Sequence, residues 1–158
     1  MSTPETQQAG LVEQLRAAID ADERIAKAAT DGPWRVNDQI YAEAIYGPSN
    51  ETVVGGGRWG DEASVFDTTE DAIYIAHNDP KSKLAMVAAH RELLADLLAE
   101  KHMVVDGDNW FTCAVATYER DGGSCDNELA GDKCDCGRDA RVLRRVKLLA
   151  KGYGIEVQ

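Results

Sequence analysis

NDPKSKLAMVAAHRELLADLLAEKH, residues 78–102, is the stretch around which the architecture is organised. Asp79 has the right chemistry to cap a helix, and Pro80 fits the first helical position, where a missing N–H costs nothing. From Lys81 to about Lys101 the apolar residues recur at helical spacing. Leu84, Val87, Leu94 and Leu98 form one stripe, with Met86, Leu93 and Leu97 beside it, so a long helix with a wide buried face is expected. His102 stands at its end.

Upstream, Asp67-Thr68-Thr69-Glu70 has the spacing of a capping box and predicts a short helix through Ala72, Ile73, Ile75 and Ala76. Before it the character changes. Trp34-Arg35-Val36, Gln39 to Tyr46 and Glu51 to Val54 are rich in β-branched and aromatic residues. Asn37-Asp38 and Gly47-Pro48-Ser49-Asn50 interrupt them, which predicts two or three short antiparallel strands. At the start of the chain, Leu11, Leu15, Ala18, Ile19 and Ala26 predict an amphipathic helix over 11–29, ended by Asp31-Gly32-Pro33.

Downstream, Asp106-Gly107-Asp108-Asn109 predicts a turn, and Trp110 to Tyr118 a strand or hairpin arm. A final helix from about Asp139 to Lys151 is expected to bury Val142, Leu143, Val146 and Leu149. The fold class is therefore α+β: a short antiparallel sheet packed against an N-terminal helix and a long central helix, with a metal-stapled C-terminal hairpin plus helix. The expected organisation is a flexible segment 1–10, a core 11–105 and a cysteine-rich tail 106–158.

The chain has 158 residues, 44% of them hydrophobic, enough for a core without disulfide staples. Its formal net charge is -11 and is unevenly spread. Residues 1–112 hold 20 acidic and 9 basic side chains, while residues 113–158 hold 8 of each. Such acidity repels nucleic acid at long range. The exception is the last helix, with Arg138, Arg141, Arg144, Arg145, Lys147 and Lys151 against Asp139 alone. Residues 119–135, six acidic and two basic, are expected to pair with that basic face. No apolar run is long enough to span a bilayer, and Met1–Gly10 lacks the pattern of a secretory signal. A cytosolic location is expected, the host cytosol if the source is bacterial.

All four cysteines lie in the last third: Cys113, Cys125, Cys134 and Cys136. Clustered cysteines in a cytosolic chain more often bind metal than pair as disulfides. Zinc takes four thiolate or imidazole ligands in a closed tetrahedron when its role is structural. Glycines and aspartates around Cys125, Cys134 and Cys136 suit a backbone wrapped round an ion better than a core. One structural zinc per chain is expected on Cys113, Cys125, Cys134 and Cys136, with His102 able to replace one of them. Inert buried thiols are the next reading and disulfides the third. The spacing matches no familiar iron–sulfur run.

Other candidates carry less. His77 beside Asp79, with Glu70 and Asp71 a turn or two upstream, could form an acid–base pair, but a helix end and a cap explain both residues. His90 fits a core edge or surface. Gly55-Gly56-Gly57-Arg58 lacks the lysine and hydroxyl of a phosphate loop. Trp59 could line a groove or cover the core.

Trp59-Gly60-Asp61-Glu62-Ala63-Ser64-Val65-Phe66-Asp67-Thr68-Thr69 is distinctive. With Asp71-Ala72, Ile75-Ala76 and Asp79-Pro80, the opening helix and Gly32-Pro33-Trp34, it resembles a family of uncharacterised small proteins of actinobacteria and their phages. The likeness spans most of residues 10–100. The tail shares it through Cys134-Asp135-Cys136-Gly137-Arg138-Asp139-Ala140-Arg141 and an end near Tyr153. The resemblance implies a bacterial or phage cytosol and brings no activity, substrate or catalytic residue.

Three functional readings follow. The leading one is a non-enzymatic accessory or interaction protein of phage or prophage origin, with a host or phage protein as partner. The second is nucleic-acid binding through Arg141, Arg144, Arg145 and Lys151. The third is a small hydrolase or nucleotide-binding enzyme built on Trp59–Asp79. A homodimer could form on the apolar face of Leu84 to Leu98.

Overall fold

The computed structural model describes residues 4–36, 44–55, 69–106, 112–116 and 133–157. The elements run α1 (Pro4–Ala28), β1 (Arg35–Val36), β2 (Ile45–Tyr46), β3 (Thr52–Val54), α2 (Thr69–His77), α3 (Pro80–Ala99) and α4 (Arg138–Gly152). The protein is α+β, as the patterning predicts. Asp67, the expected cap of α2, and Trp59 lie outside the described residues. Among the described residues, no helix is long and apolar enough to cross a membrane.

The chain forms two compact units, 16–91 and 1–15 together with 92–158. The division falls inside α1 and inside α3. Helix α1 also begins at Pro4, so residues 4–10 are helical where a flexible segment was expected.

Unit 16–91 holds the sheet. Its order is β1-β2-β3, antiparallel throughout, with Arg35 opposite Tyr46, Val36 opposite Ile45 and Ile45 opposite Val54. A register shift at Ile45–Tyr46 then puts Tyr46 opposite Thr52. The β2–β3 turn closes through the Gly47 amide on the Glu51 carbonyl and the Asn50 amide on the Gly47 carbonyl. The turn lets Arg35 reach the Asn50 side chain and lie over the Tyr46 ring. Ile45, Ala72 and Ala76 form the core here, flanked by Trp34, Val36, Val53, Val54 and Ile75. Small alanines on α2 let the helix approach the sheet closely, so one isoleucine suffices to fill the space.

Asp79 ties the sheet to α3. It is 4% exposed, yet both its oxygens are occupied. Oδ1 accepts the Ser82 amide at 2.8 Å, the helix cap expected from sequence, and Oδ2 accepts the Trp34 amide at 3.1 Å. Gly32 packs so tightly here that a Cβ would stand 2.7 Å from Asp79 Oδ1. Along α3, Val87, Leu94 and Leu97 are buried, but Met86 and Leu93 are 39% and 46% exposed. The buried stripe is thus narrower than expected, because those two residues sit on its flanks. Arg91 reaches Asp20 and Glu23 of α1, both at 2.6 Å, and Lys83 reaches Asp22 at 2.7 Å.

In the other unit, Val142, Val146 and Ala150 of α4 are buried, whereas Leu143 and Leu149 are only partly so. Ala150 replaces Leu149 in the expected stripe, as a spacing of four from Val146 requires. Residues 114–116 are helical where an extended arm was expected. Just before them the Cys113 amide donates to the Met103 carbonyl at 2.8 Å, and Thr112 Oγ1 bonds to both backbone groups of Val105.

Candidate metal centre

Three of the four cysteines converge with one histidine in unit 1–15/92–158. Cys113 is brought in by the Met103 pairing, Cys134 and Cys136 by the loop entering α4, and His102 by the segment leaving α3. Their ligand atoms all lie within 4.8 Å of one another. Cys125 lies outside the described residues; His102, the substitute ligand the sequence offers, stands with the other three cysteines.

The separations have the size of a coordination polyhedron. Cys113 Sγ is 3.9 Å from Cys134 Sγ, and Cys134 Sγ is 3.6 Å from Cys136 Sγ. His102 Nδ1 is 3.5 Å from Cys113 Sγ and 3.8 Å from Cys136 Sγ. Bonds of about 2.3 Å to sulfur and about 2.05 Å to nitrogen give a tetrahedral zinc site S–S edges of about 3.8 Å and S–N edges of about 3.6 Å. These four edges bracket those values, and the other two are within 4.8 Å. They are far from the ~2.05 Å of a disulfide, so these sulfurs are not joined to one another as disulfides.

The surroundings favour sulfur as an anion. Gly137 turns the chain into α4 with φ 75°, a conformation costly for any residue with a Cβ. This turn aims the first amides of the helix back at the cysteines, where they would otherwise lack partners. The Arg138 amide meets the Cys136 sulfur and the Asp139 amide meets that of Cys134. Burial raises the Cys136 pKa, but amide donation from Met103 and Arg138, with His102 and Cys113 alongside, outweighs it and brings the thiol down to about 6. Cys134 is pushed up instead, by burial first and by the neighbouring sulfurs, against the Asp139 amide. A cation amid the three sulfurs would resolve that opposition by favouring every thiolate.

A second layer holds the ligands. His102 Nε2 stands 3.7 Å from Asp139 Oδ1, while Arg138 Nη1 binds the same oxygen at 2.9 Å. A carboxylate on the far nitrogen favours the tautomer that leaves Nδ1 free to ligate. Arg138 also donates Nε to the Glu100 carbonyl at 2.7 Å and Nη2 to the Leu98 carbonyl at 3.0 Å, closing the end of α3. Arg141 donates Nη1 to the Cys136 carbonyl at 3.0 Å and pairs with Glu100, as Arg145 does. Arg141 and Arg145 therefore do pair within the chain, with Glu100 among the described residues; most of 119–135 lies outside them. Asp135 accepts the Ala114 amide at 3.2 Å, which with other amide bonds holds its carboxyl below the usual range.

The other candidates are placed differently. Asp79 spends both oxygens on amides, which leaves it no role as partner to an acid–base His77. His77 ends α2 exposed, and His90 is half-buried on α3. An open cleft of about 310 Å³ lies between β1, α2 and the start of α3, lined by Trp34, Arg35, Ile73, His77 and Ser82 among others.

The fold and this cluster define a small α+β protein with a cysteine–histidine site near its C-terminus. The chain belongs to a family of unknown function, DUF6221, whose model matches residues 8–154. No curated protein and no solved structure matches it.

Proposed function

We propose that the protein binds one structural zinc ion through His102, Cys113, Cys134 and Cys136, and acts as a non-enzymatic accessory protein that works by contacting another protein. The four converging ligand atoms, at tetrahedral spacing, carry this reading. Four protein ligands fill a tetrahedral ion, which leaves no position for substrate or reactive water. The role left to the metal is to clamp the end of α3, the Cys113 segment and the start of α4. Three thiolates with a neutral imidazole leave the site with one net negative charge, and Arg138 and Arg141 are placed to balance it.

The resemblance noted from sequence supports an actinobacterial, phage or prophage source, a cytoplasmic location and a host or phage protein as partner. The basic helix supports nucleic-acid binding less well, since Glu100 engages Arg141 and Arg145, two of the four side chains that reading used.

Metal analysis of reduced protein purified without chelator tests the site, with one zinc per chain expected. A content well below that would remove it. Turnover in a hydrolase or transferase screen, lost on changing His77 or Asp79, would overturn the non-enzymatic role.

A further inference from the structure

We infer that the centre is also an oxidant-sensitive switch, in which peroxide joins Cys113 to Cys134 as a disulfide and releases the metal. This rests on the zinc reading and adds regulation to it. Cys134 is the sulfur shared by two close pairs, 3.9 Å from Cys113 and 3.6 Å from Cys136. Its neighbour in sequence is the poorer partner. A Cys134–Cys136 bond would close a small ring across Asp135 alone, which forces the bridge away from the dihedral angle a disulfide prefers. A bond to Cys113 spans the 20 residues between them and meets no such restriction.

Exposure sets the order of events. Cys113 is 1% exposed and Cys134 half-buried, so oxidant in solution reaches Cys134 first. Cys136 is also half-buried, and the peptide map separates its products from those of Cys134.

The Cys134 thiolate attacks one peroxide oxygen; the O–O bond breaks, hydroxide leaves and a sulfenic acid forms. The Cys113 thiolate then attacks the Cys134 sulfur, the S–S bond forms and a second hydroxide departs. Two thiolates lose two electrons, peroxide gains them, and two protons from solvent complete two waters. Only His102 and Cys136 then remain to the zinc, too few to hold it. A thiol reductant reverses the reaction by exchange.

The experiment treats zinc-loaded full-length protein with a few equivalents of hydrogen peroxide. It follows metal release with a chromogenic chelator and maps disulfides by mass spectrometry. One zinc released per disulfide, a Cys113–Cys134 peptide, and recovery with dithiothreitol plus zinc are expected. Cys125→Ser should respond as the native chain does, and Cys134→His should keep zinc while losing the response at least tenfold. If reduced protein carries no zinc, the site itself is wrong. If loaded protein keeps its zinc and thiols under peroxide, or pairs Cys125 instead, the site stands and the switch is overturned. Should Cys134→His fail to load, the peptide map of the native chain decides alone.

Discussion

His102 and Asp139 meet at the edge of the imidazole, with Nε2 3.7 Å from the carboxylate while Nδ1 faces the sulfurs. One residue thus joins a ligand set to the first turn of α4. If the carboxylate sets the tautomer, Asp139→Asn should weaken zinc binding about 10- to 100-fold, as losses of such outer partners do. Competition with a chelator of known affinity measures it. A His102→Cys protein should still bind zinc and should be indifferent to the Asp139 change.

Cys125 distinguishes the four described ligands from the all-cysteine set expected from spacing. Cys125→Ser should retain one zinc per chain, and Cys136→Ser should lose it. Zinc retained by His102→Ala but lost by Cys125→Ser would restore the all-cysteine set. Removing the metal with chelator should lower the melting temperature of the native chain, because ligand binding to the folded state is itself folding free energy.

Arg138 holds two carbonyls at the C-terminal end of α3, those of Leu98 and Glu100, and one carboxylate. Its side chain is largely buried, so Arg138→Ala leaves those carbonyls poorly paired and should cost about 1–3 kcal/mol. Lysine cannot reproduce the planar fork and should recover little of the loss. Urea denaturation of zinc-loaded protein reads both.

Asp79 serves a helix start and a distant amide at once. Asp79→Ala removes the cap, worth about 1 kcal/mol, and strands the Trp34 amide for about 1–3 kcal/mol more. Gly32→Ala should also destabilise, since its Cβ would meet the same carboxylate. Both are measured by thermal or urea unfolding.

Glu23 gives acid sensitivity. Its hydrogen bonds to Arg91 and Lys27 lower its pKa from 4.5 to about 2. A lowered folded-state value means its contribution is complete above 4.5 and is lost as pH falls toward 2. Glu23→Gln should flatten the decline in melting temperature over that window. The effect should shrink in high salt, because the pair faces solvent.

Much of the scaffold was legible because it is written in local chemistry. Asp79-Pro80 marks the start of α3, Gly47–Asn50 marks a turn between strands, and the apolar period marks four helices among the described residues. The misreadings share a cause. Met86 and Leu93 match the period of α3 but lie at the margin of its buried face, and only neighbouring elements decide how wide that face is. Where residues 114–116 turn helical, Asp135, 21 positions later, accepts the Ala114 amide, a partner that local patterning does not reveal.

The same division runs through the metal centre. Thiol count, the Cys-x-Cys pair and the glycine after it follow from the order of residues alone, since they concern groups close along the chain. Which nitrogen or sulfur completes the cluster, why Asp139 sits behind His102, and how Glu100 takes up the arginines were decided by folding. Those are contacts between groups 11 to 45 positions apart. Periodicity carries no information at such separations, because distance in space there depends on how every intervening element packs.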